Sequence, residues 1–402
     1  MIVSIISRQL MRQRGDLAFD KPQKVEGDHA LLTLAAMQVG TPVAPLSPTY
    51  SRLPEARHQL SACLDVLMPG PVMVECAAEF GDALTLVPAG VEVVAVRGQA
   101  TGRDATPFET LLEDPEPARV DAAFAAVDPD APAKILFTSG STGGPKAAIV
   151  THRMMCSDAV AQRQLLAFLA ERPPVVVDWQ PWHHCGGGAN SNYHAALLNG
   201  GSYYINSGKP TTEEAFAPTL HALKSVSPTI HFNVPQGYAM LAFHLERDPA
   251  LRAAFFADLD CLAYSAAAMP GPVWDALAGW GQQVRGVRLP MISCYGMTEL
   301  APMHTALHWY KQRPGLIGLP IPGSEVLLLP VVGGYELRAR GPNVSPGYFR
   351  NPALTAEAFD AEGWFVTGDR VSFVDPDDPA RKNLVAALYD DTNPQLLIPE
   401  HF

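Results

Sequence analysis

Three features of the sequence predict an α/β fold, in which stacked parallel α/β subdomains are followed by a small antiparallel β-barrel. Short apolar runs that read as strands alternate with helical segments up to about residue 310, a pattern typical of parallel sheets covered by helices. From Gly315 to Val374 the pattern changes to short β runs separated by Gly and Pro, which is typical of a small antiparallel barrel. The 402 residues are 48% hydrophobic, enough for a sizeable core.

These patterns divide the chain into four predicted regions. The regions are a divergent N-terminal segment 1–25, α/β subdomains 26–312, a small β subdomain 313–375 and a divergent, weakly structured tail 376–402. The strands predicted in the α/β part are Val72–Val74, Val91–Val96, Ala131–Phe137, Val175–Trp179, Thr229–Val234 and Gly286–Ile292. A helix is predicted over His29–Val39, and the three prolines of Thr41–Pro48 end it in a turn. A second helix is predicted over Thr211–Ser225, with Thr211 as its N-cap and Glu214 completing a capping box.

Composition and charge exclude several classes of protein. The formal net charge of −12 argues against binding to nucleic acid or to an anionic membrane, because both need clustered Lys and Arg. No apolar run approaches the ~20 residues of a membrane span, and the apolar start of the chain does not fit a signal peptide. The six cysteines form no C-x-x-C pair, so we expect reduced thiols in a cytoplasmic protein. A homodimer is left open.

A glycine-rich loop is the strongest local signal. It follows the apolar residues Lys134–Phe137 and precedes a helix that begins near His152. Its residues are Thr138, Ser139, Gly140, Ser141, Thr142, Gly143, Gly144, Pro145 and Lys146. Glycines let main-chain amides approach an anion closely, hydroxyl groups add donors, and a lysine adds a charge suited to phosphate. The loop is not a Walker A motif, because Ala147 follows the lysine. The alternative is a flexible surface loop.

The glycine-rich loop resembles the phosphate loop of the adenylate-forming superfamily, which contains acyl-CoA synthetases, luciferases and peptide-synthetase adenylation domains. Six further elements occur in the order typical of that superfamily. They are Gly40–Pro48, Asn233–Pro235, Tyr264–Ala268, Tyr295–Glu299, Gly315–Pro320 and Gly363–Asp369. The resemblance covers roughly residues 26–375 and implies ATP, Mg²⁺ and coenzyme A as cofactors. It also implies a small carboxylic acid as substrate.

The resemblance also implies a role for each matching residue. Thr298 and Glu299 line the triphosphate, with Glu299 as the ligand of Mg²⁺, a hard cation that prefers carboxylate oxygen. Asp369 accepts hydrogen bonds from the ribose hydroxyls. Tyr295, Gly296 and Ala267 lie near the adenine, although Ala266–Ala268 stand where the superfamily usually carries glycines. Taken alone, Thr298-Glu299 is also a common helix cap, Asp369 a common turn residue and Tyr295 an ordinary core aromatic.

A cluster of histidines indicates where the acid binds. The spacing of His183, His184, Cys185 and His194 does not match a tetrahedral zinc site. In the superfamily, a histidine that precedes a glycine pair borders the carboxylate pocket, and His184 matches it; a core or capping histidine is the alternative. Trp179, Asn190, Asn199–Gly201 and Gly208–Pro210 resemble feruloyl-CoA synthases, which activate hydroxycinnamic acids.

The implied reaction joins an aromatic acid to AMP with release of pyrophosphate, and a coenzyme A thiolate then displaces AMP. It needs charge neutralisation and positioning, for which Lys146, His184, Thr298 and Glu299 are the candidate catalytic residues. The superfamily's Gly-Arg hinge and C-terminal lid are not recognisable after Asp369, and residues 1–24 match no family element, so we expect truncated or replaced ends. Two alternatives stay open: a catalytically impaired nucleotide- or aryl-acid-binding remnant, and an adenylation domain that works with a separate lid or carrier protein.

Overall fold

The computed structural model describes residues 1–5, 24–100, 102–112, 116–138, 144–307, 315–373, 377 and 385–387. These residues form two compact units. The first takes in residues 1–153 and 345–355, and the second takes in residues 154–344 and the described residues after 355. Each unit is built on its own sheet. The predicted α/β class is confirmed, whereas the predicted boundaries at residues 25, 312 and 375 stay predictions.

The first unit contains a seven-stranded sheet in the order β5-β4-β3-β1-β2-β6-β7. Its strands are β1 Ile2–Ile5, β2 Val43–Leu46, β3 Pro71–Cys76, β4 Glu92–Arg97, β5 Thr106–Pro107, β6 Pro132–Thr138 and β7 Lys146–Thr151. All neighbours pair in parallel except β6 and β7, which form an antiparallel hairpin. The helices are α1 Lys24–Gln38, α2 Pro48–Arg52, α3 Arg57–Leu67, α4 Gly81–Leu84 and α5 Pro117–Ala125.

The core of the first unit lies between α3 and the sheet. Leu60, Leu64 and Leu67 of α3 recur at helical spacing and are buried against Val72 and Val74 of β3. Burial of each such side chain contributes about 1.5–3 kcal/mol to folding. The parallel strands are apolar on both faces because helices cover them.

The second unit contains an eleven-stranded sheet in the order β15-β16-β17-β18-β14-β13-β12-β11-β10-β8-β9. Its strands are β8 Val175–Asp178, β9 Ser202–Ile205, β10 Ile230–Asn233, β11 Cys261–Tyr264, β12 Met291–Tyr295, β13 Thr305–Leu307, β14 Leu316–Pro320, β15 Glu325–Val331, β16 Gly334–Arg340, β17 Phe365–Phe373 and β18 Val385–Ala387. The five strands from β12 to β9 are parallel, and the others pair antiparallel.

Seven helices follow β7 in the described part of the chain. They are α6 His152–Leu165, α7 Ser191–Leu198, α8 Glu213–Ser225, α9 Pro235–Arg247, α10 Pro249–Phe256, α11 Gly271–Arg285 and, near residue 355, α12 Pro352–Glu357. Of these, α7 to α11 lie between the parallel strands of this sheet along the chain. The largest core cluster packs Tyr238, Leu241 and Leu245 of α9 against Phe255 and Phe256 of α10. Within the described ranges no helix is long and apolar enough to cross a bilayer.

Several predicted elements need correction. The proline-rich turn Thr41–Pro48 contains β2, because prolines are tolerated where a strand's own N–H is not needed. The glycine-rich loop leads into β7, not directly into a helix. The last predicted parallel strand begins at Met291 rather than Gly286, because Gly286, with a φ of 71°, ends α11. Of the predicted weakly structured tail, Val385–Ala387 form a strand between β14 and β17; most of the tail lies outside the described residues.

The N-cap of α8 is Thr212, one residue later than predicted. Its side chain accepts a hydrogen bond from the Ala215 N–H at 3.1 Å, so the prediction of Thr211 was wrong. Thr212 has an extended backbone, with a φ of −142° and a ψ of 161°, as is typical of an N-cap residue whose hydroxyl accepts from the third amide of the helix.

We therefore expect Thr212→Ala to lower the free energy of unfolding by about 1 kcal/mol, because it leaves an end amide of α8 without its partner. The matched control Thr211→Ala should change it by less than about 0.5 kcal/mol. Urea denaturation of both variants measures this difference. Equal losses in the two variants would contradict the assigned cap.

Candidate functional site

The carboxyl ends of the parallel strands in the second unit carry six of the fourteen predicted site residues. Ala267 follows β11, and Gly296 follows β12, which pairs in parallel with β11 through Tyr264 and Ser293. The histidine-containing segment follows β8 in the same way. In parallel sheets, loops at this edge converge and form the usual place for a ligand. Sheet topology therefore brings together residues that are distant in sequence.

A tight hairpin between β12 and β13 holds Tyr295, Gly296, Thr298 and Glu299. The His304 N–H donates to the Tyr295 carbonyl at 2.9 Å and closes the hairpin. A Cβ on Gly296 would lie 1.8 Å from the Pro302 carbonyl oxygen, so only glycine permits this close approach. Packing within the hairpin alone therefore requires glycine at position 296, independently of any contact with a ligand.

Asp369 lies within hydrogen-bond distance of this hairpin. The Tyr295 hydroxyl donates to Asp369 Oδ2 at 2.6 Å. Burial raises the pKa of Asp369 above its ordinary value, and the hydrogen bond from Tyr295 lowers it. Two residues predicted to bind adenosine are therefore in direct contact, although 74 positions separate them.

A bulge in β17 sets the direction of Asp369. The pairing of β17 with β16 shifts register between Glu336 and Arg338, and Gly368 there has a φ of 76°. The Asp369 N–H donates to Thr367 Oγ1 at 3.1 Å instead of to the neighbouring strand. Bulges re-aim side chains in this way and are frequent beside active sites.

Glu299 and Thr298 lie on a single 3₁₀ turn after Gly296. The Glu299 side chain is buried, with the residue 7% exposed. The Thr298 hydroxyl donates to Cys185 Sγ at 3.4 Å. Burial raises the pKa of the Cys185 thiol to about 12, so this group is a neutral acceptor and not a nucleophile at neutral pH.

The segment 180–190 carries His184 and depends on glycines for its shape. His184 Nδ1 accepts a hydrogen bond from the Gly186 N–H at 3.2 Å. A Cβ on Gly188 would lie 2.2 Å from Cδ2 of Trp182, so glycine at that position lets the indole lie on the main chain. Trp182 also packs against Tyr193, with ring centroids 5.0 Å apart. His184 is therefore held by its own loop beside an aromatic cluster.

Ala266 has left-handed backbone geometry, with a φ of 74°. An alanine in this conformation costs roughly 1–2 kcal/mol relative to an ordinary backbone region, whereas glycine adopts it freely. Ala266 is exposed and Ala267 is half-buried. The alanines that stand in place of the superfamily's glycines thus strain the main chain at one position.

In the first unit, the structure describes only the two ends of the glycine-rich loop. Thr138 at the end of β6 and Lys146 at the start of β7 pair directly across the hairpin. Ser139, Gly140, Ser141, Thr142 and Gly143 lie outside the described residues. Lys146 is half-buried, and its predicted role stays a prediction, as do the roles of the other predicted site residues.

Asp158 on α6 is a buried acid that the sequence did not single out. Gln162 Nε2 donates to its Oδ2 at 2.9 Å and to Ser191 Oγ at 2.6 Å. Burial raises the pKa of Asp158 to about 7 against the hydrogen bonds from Gln162, Ser191 and the Met303 main chain. The charge of Asp158 also raises the pKa of Cys185. One aspartate within a polar helix stretch gives no sequence signal for such burial.

Comparison with known proteins places the chain in a family. The family described as AMP-binding enzyme matches residues 27–349. Similar curated proteins include 4-coumarate–CoA ligase 2 of Oryza sativa subsp. japonica, 26% identical over 307 residues, 70% of this chain and 49% of the relative. A feruloyl-CoA synthase of Amycolatopsis sp is 31% identical over 257 residues, 60% of this chain and 47% of the relative. Human mitochondrial malonate–CoA ligase is 28% identical over 280 residues, 60% of this chain and 46% of the relative.

Solved structures share the fold. A malonyl-CoA ligase in a ternary product complex with methylmalonyl-CoA and AMP is 26% identical, with a TM-score of 0.69 over 96% of this chain and 71% of that chain. VinN is 22% identical, with a TM-score of 0.68 over 96% of this chain and 85% of that chain, which is a likeness of fold alone. The chain spans about half the length of the curated relatives it matches.

The buried acid makes stability depend on pH in a defined direction. The folded-state pKa of Asp158 lies above the ordinary value of 3.8, so its contribution is fully present below about pH 4 and is lost as pH rises through about 7. We expect Asp158→Asn to be more stable than the parent protein at pH 8 by about 1–3 kcal/mol, with a smaller gain at pH 5. Urea denaturation at the two pH values measures this.

The control is Asp130→Asn. Arg153 lowers the pKa of Asp130 by hydrogen bonding, so the contribution of Asp130 to the free energy of unfolding depends on pH with the opposite sign. That variant should gain no stability at pH 8. If the free energy of unfolding changed with pH by the same amount in the parent protein and in Asp158→Asn, the buried carboxyl would not be the titrating group.

Proposed function

The chain belongs to the AMP-binding enzyme family, and on this premise we propose that it activates a carboxylic acid with ATP and passes the acyl group to coenzyme A. The observation that carries the proposal is the contact between Tyr295 and Asp369 at the carboxyl edge of the parallel strands. It joins an aromatic ring suited to adenine stacking to a carboxylate suited to a ribose diol. An aspartate that only formed a turn, or a tyrosine that only packed in the core, would not require this hydrogen bond.

We assign each part of the nucleotide to different residues of the site. Asp369 accepts hydrogen bonds from the ribose hydroxyls while Tyr295 orients its carboxylate. Ala267 and Gly296 border the adenine. The resemblance assigns the phosphates to Thr298 and to the loop from Thr138 to Lys146, whose amides and ammonium group favour bound anions.

Glu299 suits the Mg²⁺ that accompanies ATP. It is a buried carboxylate beside the hydroxyl of Thr298, and Mg²⁺ in nucleotide sites takes one or two carboxylates and completes its shell with phosphate oxygens and water. Within the described ranges, no group of three acidic, histidine or cysteine side chains could hold a metal by itself, which also suits an ion shared with a nucleotide. When bound, the ion would neutralise negative charge on the phosphates.

The reaction then proceeds by two displacements. A carboxylate oxygen of the acid attacks the α-phosphorus, the bond from that phosphorus to the bridging oxygen breaks, and pyrophosphate leaves. The coenzyme A thiolate next attacks the acyl carbon, and AMP leaves. Protein groups supply alignment and charge stabilisation in the first step, and no covalent intermediate with the neutral thiol of Cys185 is needed.

We propose an aromatic, hydroxycinnamate-like acid as the substrate. Relatives include ligases named for 4-coumarate, ferulate and malonate, so the names alone leave the acid open. The aromatic cluster of Trp182, Tyr193 and Tyr203 beside the His184 loop favours a planar ring. A small dicarboxylate would instead call for cationic side chains there.

The test is ATP–pyrophosphate exchange by the purified chain with ferulate, 4-coumarate, malonate or acetate. We expect exchange with the two aromatic acids, and a loss of about 10²–10³-fold in Glu299→Ala, because one electrostatic contact to the reacting phosphates is removed. Circular dichroism shows whether that variant is folded.

Preference for malonate would overturn the aromatic assignment and keep the adenylation step. Absence of exchange with every acid by a folded chain would contradict adenylation by this chain and favour a binding remnant. Exchange that appears only when a separate lid or carrier protein is added would favour the alternative in which the chain is an adenylation domain that works with that protein.

A further inference from the structure

The segment that follows Glu299 is held by two buried asparagine side chains. We call residues 298–304 the Glu299 segment. Asn190 Nδ2 donates to the Ala301 carbonyl at 2.7 Å. Asn343 Nδ2 donates to the carbonyls of Leu300 and Met303 at 3.0 and 2.8 Å. Asn190 and Asn343 are 0% and 1% exposed, so water does not compete for these hydrogen bonds.

The segment needs this support because its own hydrogen bonds are few. Its 3₁₀ turn spans only Thr298–Leu300, and Ala301 after it has left-handed geometry, with a φ of 63°. Two main-chain bonds close the turn: the Leu300 N–H donates to Met297 at 2.9 Å and the Ala301 N–H donates to Thr298 at 3.3 Å. A single turn of this kind is not stable in isolation. The direction of Glu299 therefore depends on partners outside the segment.

Other polar groups fix the orientation of each asparagine. Asn190 Oδ1 lies 3.0 Å from His194 Nδ1. Asn343 Oδ1 accepts a hydrogen bond from Ser324 Oγ at 2.9 Å. The two amide groups therefore cannot rotate without breaking further hydrogen bonds.

His304 completes the network around Asn343. Its Nε2 lies 2.9 Å from the Glu325 carbonyl, and its Nδ1 lies 3.2 Å from Asn343 Nδ2. Burial lowers the pKa of His304, so the neutral ring donates from Nε2 and accepts at Nδ1. The NH₂ group of Asn343 can only donate, and it faces three acceptors: the carbonyls of Leu300 and Met303 and Nδ1 of His304.

The segment is also joined to the loop that carries His184. Asn190 ends that loop, and the Ser191 N–H donates back to the Cys185 carbonyl at 2.9 Å. Cys185 Sγ in turn accepts the hydrogen bond from Thr298. The proposed acid-binding loop and the proposed Mg²⁺–phosphate segment are thereby connected by a buried hydrogen bond from Asn190 and a partly buried one to Cys185.

We infer that Asn190 and Asn343 are positioning residues that hold Glu299 where Mg²⁺–ATP requires it, an inference that rests on the proposed function. Neither side chain touches a reacting group. They act through the carbonyls of Leu300, Ala301 and Met303, so their loss displaces Glu299 and Thr298 while the binding of ribose at Asp369 is retained.

The test compares Asn343→Leu and Asn190→Leu with Tyr238→Phe. Tyr238 is an equally buried residue whose hydroxyl oxygen lies 2.7 and 3.1 Å from the carbonyl oxygens of His231 and Ala263. Its single proton is shared between them, so its variant also loses buried hydrogen bonding to main chain, away from the segment. Hydrogen–deuterium exchange without nucleotide is measured first. We expect exchange of the Leu300, Ala301 and His304 amides to rise at least about tenfold in the two asparagine variants only.

The second measurement is ATP–pyrophosphate exchange as a function of Mg²⁺. The Mg²⁺ concentration for half-maximal rate should rise at least about tenfold in Asn343→Leu and Asn190→Leu. Tyr238→Phe should keep the parent value. In Asn343→Leu, whose residue lies outside the loop that carries His184, the KM for the acid should change less than twofold. If the leucine variants do not fold, Ser324→Ala removes only the partner of Asn343 Oδ1 and should raise the same Mg²⁺ concentration by a smaller factor.

Unchanged amide exchange in the asparagine variants would overturn the inference, as would an unchanged Mg²⁺ requirement in an active protein. A parent protein without ATP–pyrophosphate exchange would contradict the proposed function instead. In that case, the amide-exchange comparison alone decides whether the asparagines hold the Glu299 segment.

Discussion

The close approach of Gly296 to the Pro302 carbonyl is the constraint on which the site in the second unit depends. Because a Cβ there would lie 1.8 Å from that oxygen, only glycine allows the main chain between β12 and β13 to approach itself this closely. The turn fixes Tyr295 at its base and Thr298 and Glu299 at its tip. Buried amides and a single hydrogen bond to Cys185 then hold the tip. The placement of the residues that we propose for phosphate and ribose recognition thus depends on one tight main-chain contact.

The carboxylate that we propose for ribose binding is positioned by a different feature. Asp369 belongs to the antiparallel part of the same sheet, where the bulge in β17 frees its N–H from the strand ladder. The Tyr295 hydroxyl connects this bulge to the end of β12 at 2.6 Å. Burial alone would favour a protonated, neutral Asp369, and the tyrosine opposes that tendency. The same hydrogen bond therefore fixes the position of the carboxylate and partly offsets the rise in its pKa that burial causes.

Sequence predicts the fold class and the family well, since apolar alternation and ordered motifs survive without tertiary information. Thr138 to Lys146 stand out by composition, but β7 does not, because Lys146–Thr151 has no alternation that separates it from the helix behind it. Thr211 and Thr212 are adjacent residues of the same type, and it is the structure that shows the Thr212 side chain accepting the Ala215 N–H. The hydrogen bond from Asn190 to Ala301 spans 111 positions, and no local pattern reports such a contact. The sequence therefore does not predict which buried polar groups are hydrogen-bond partners.

The central claim, that Tyr295 and Asp369 form a ribonucleotide site, is tested most directly by calorimetric binding of AMP and 2′,3′-dideoxy-AMP to the chain. Loss of hydrogen bonds to a charged carboxylate should weaken binding of the dideoxy compound at least about tenfold. Replacement of the carboxylate in Asp369→Ala should make the two affinities nearly equal by weakening AMP alone. Equal affinities of the unaltered chain for both compounds would contradict the claim.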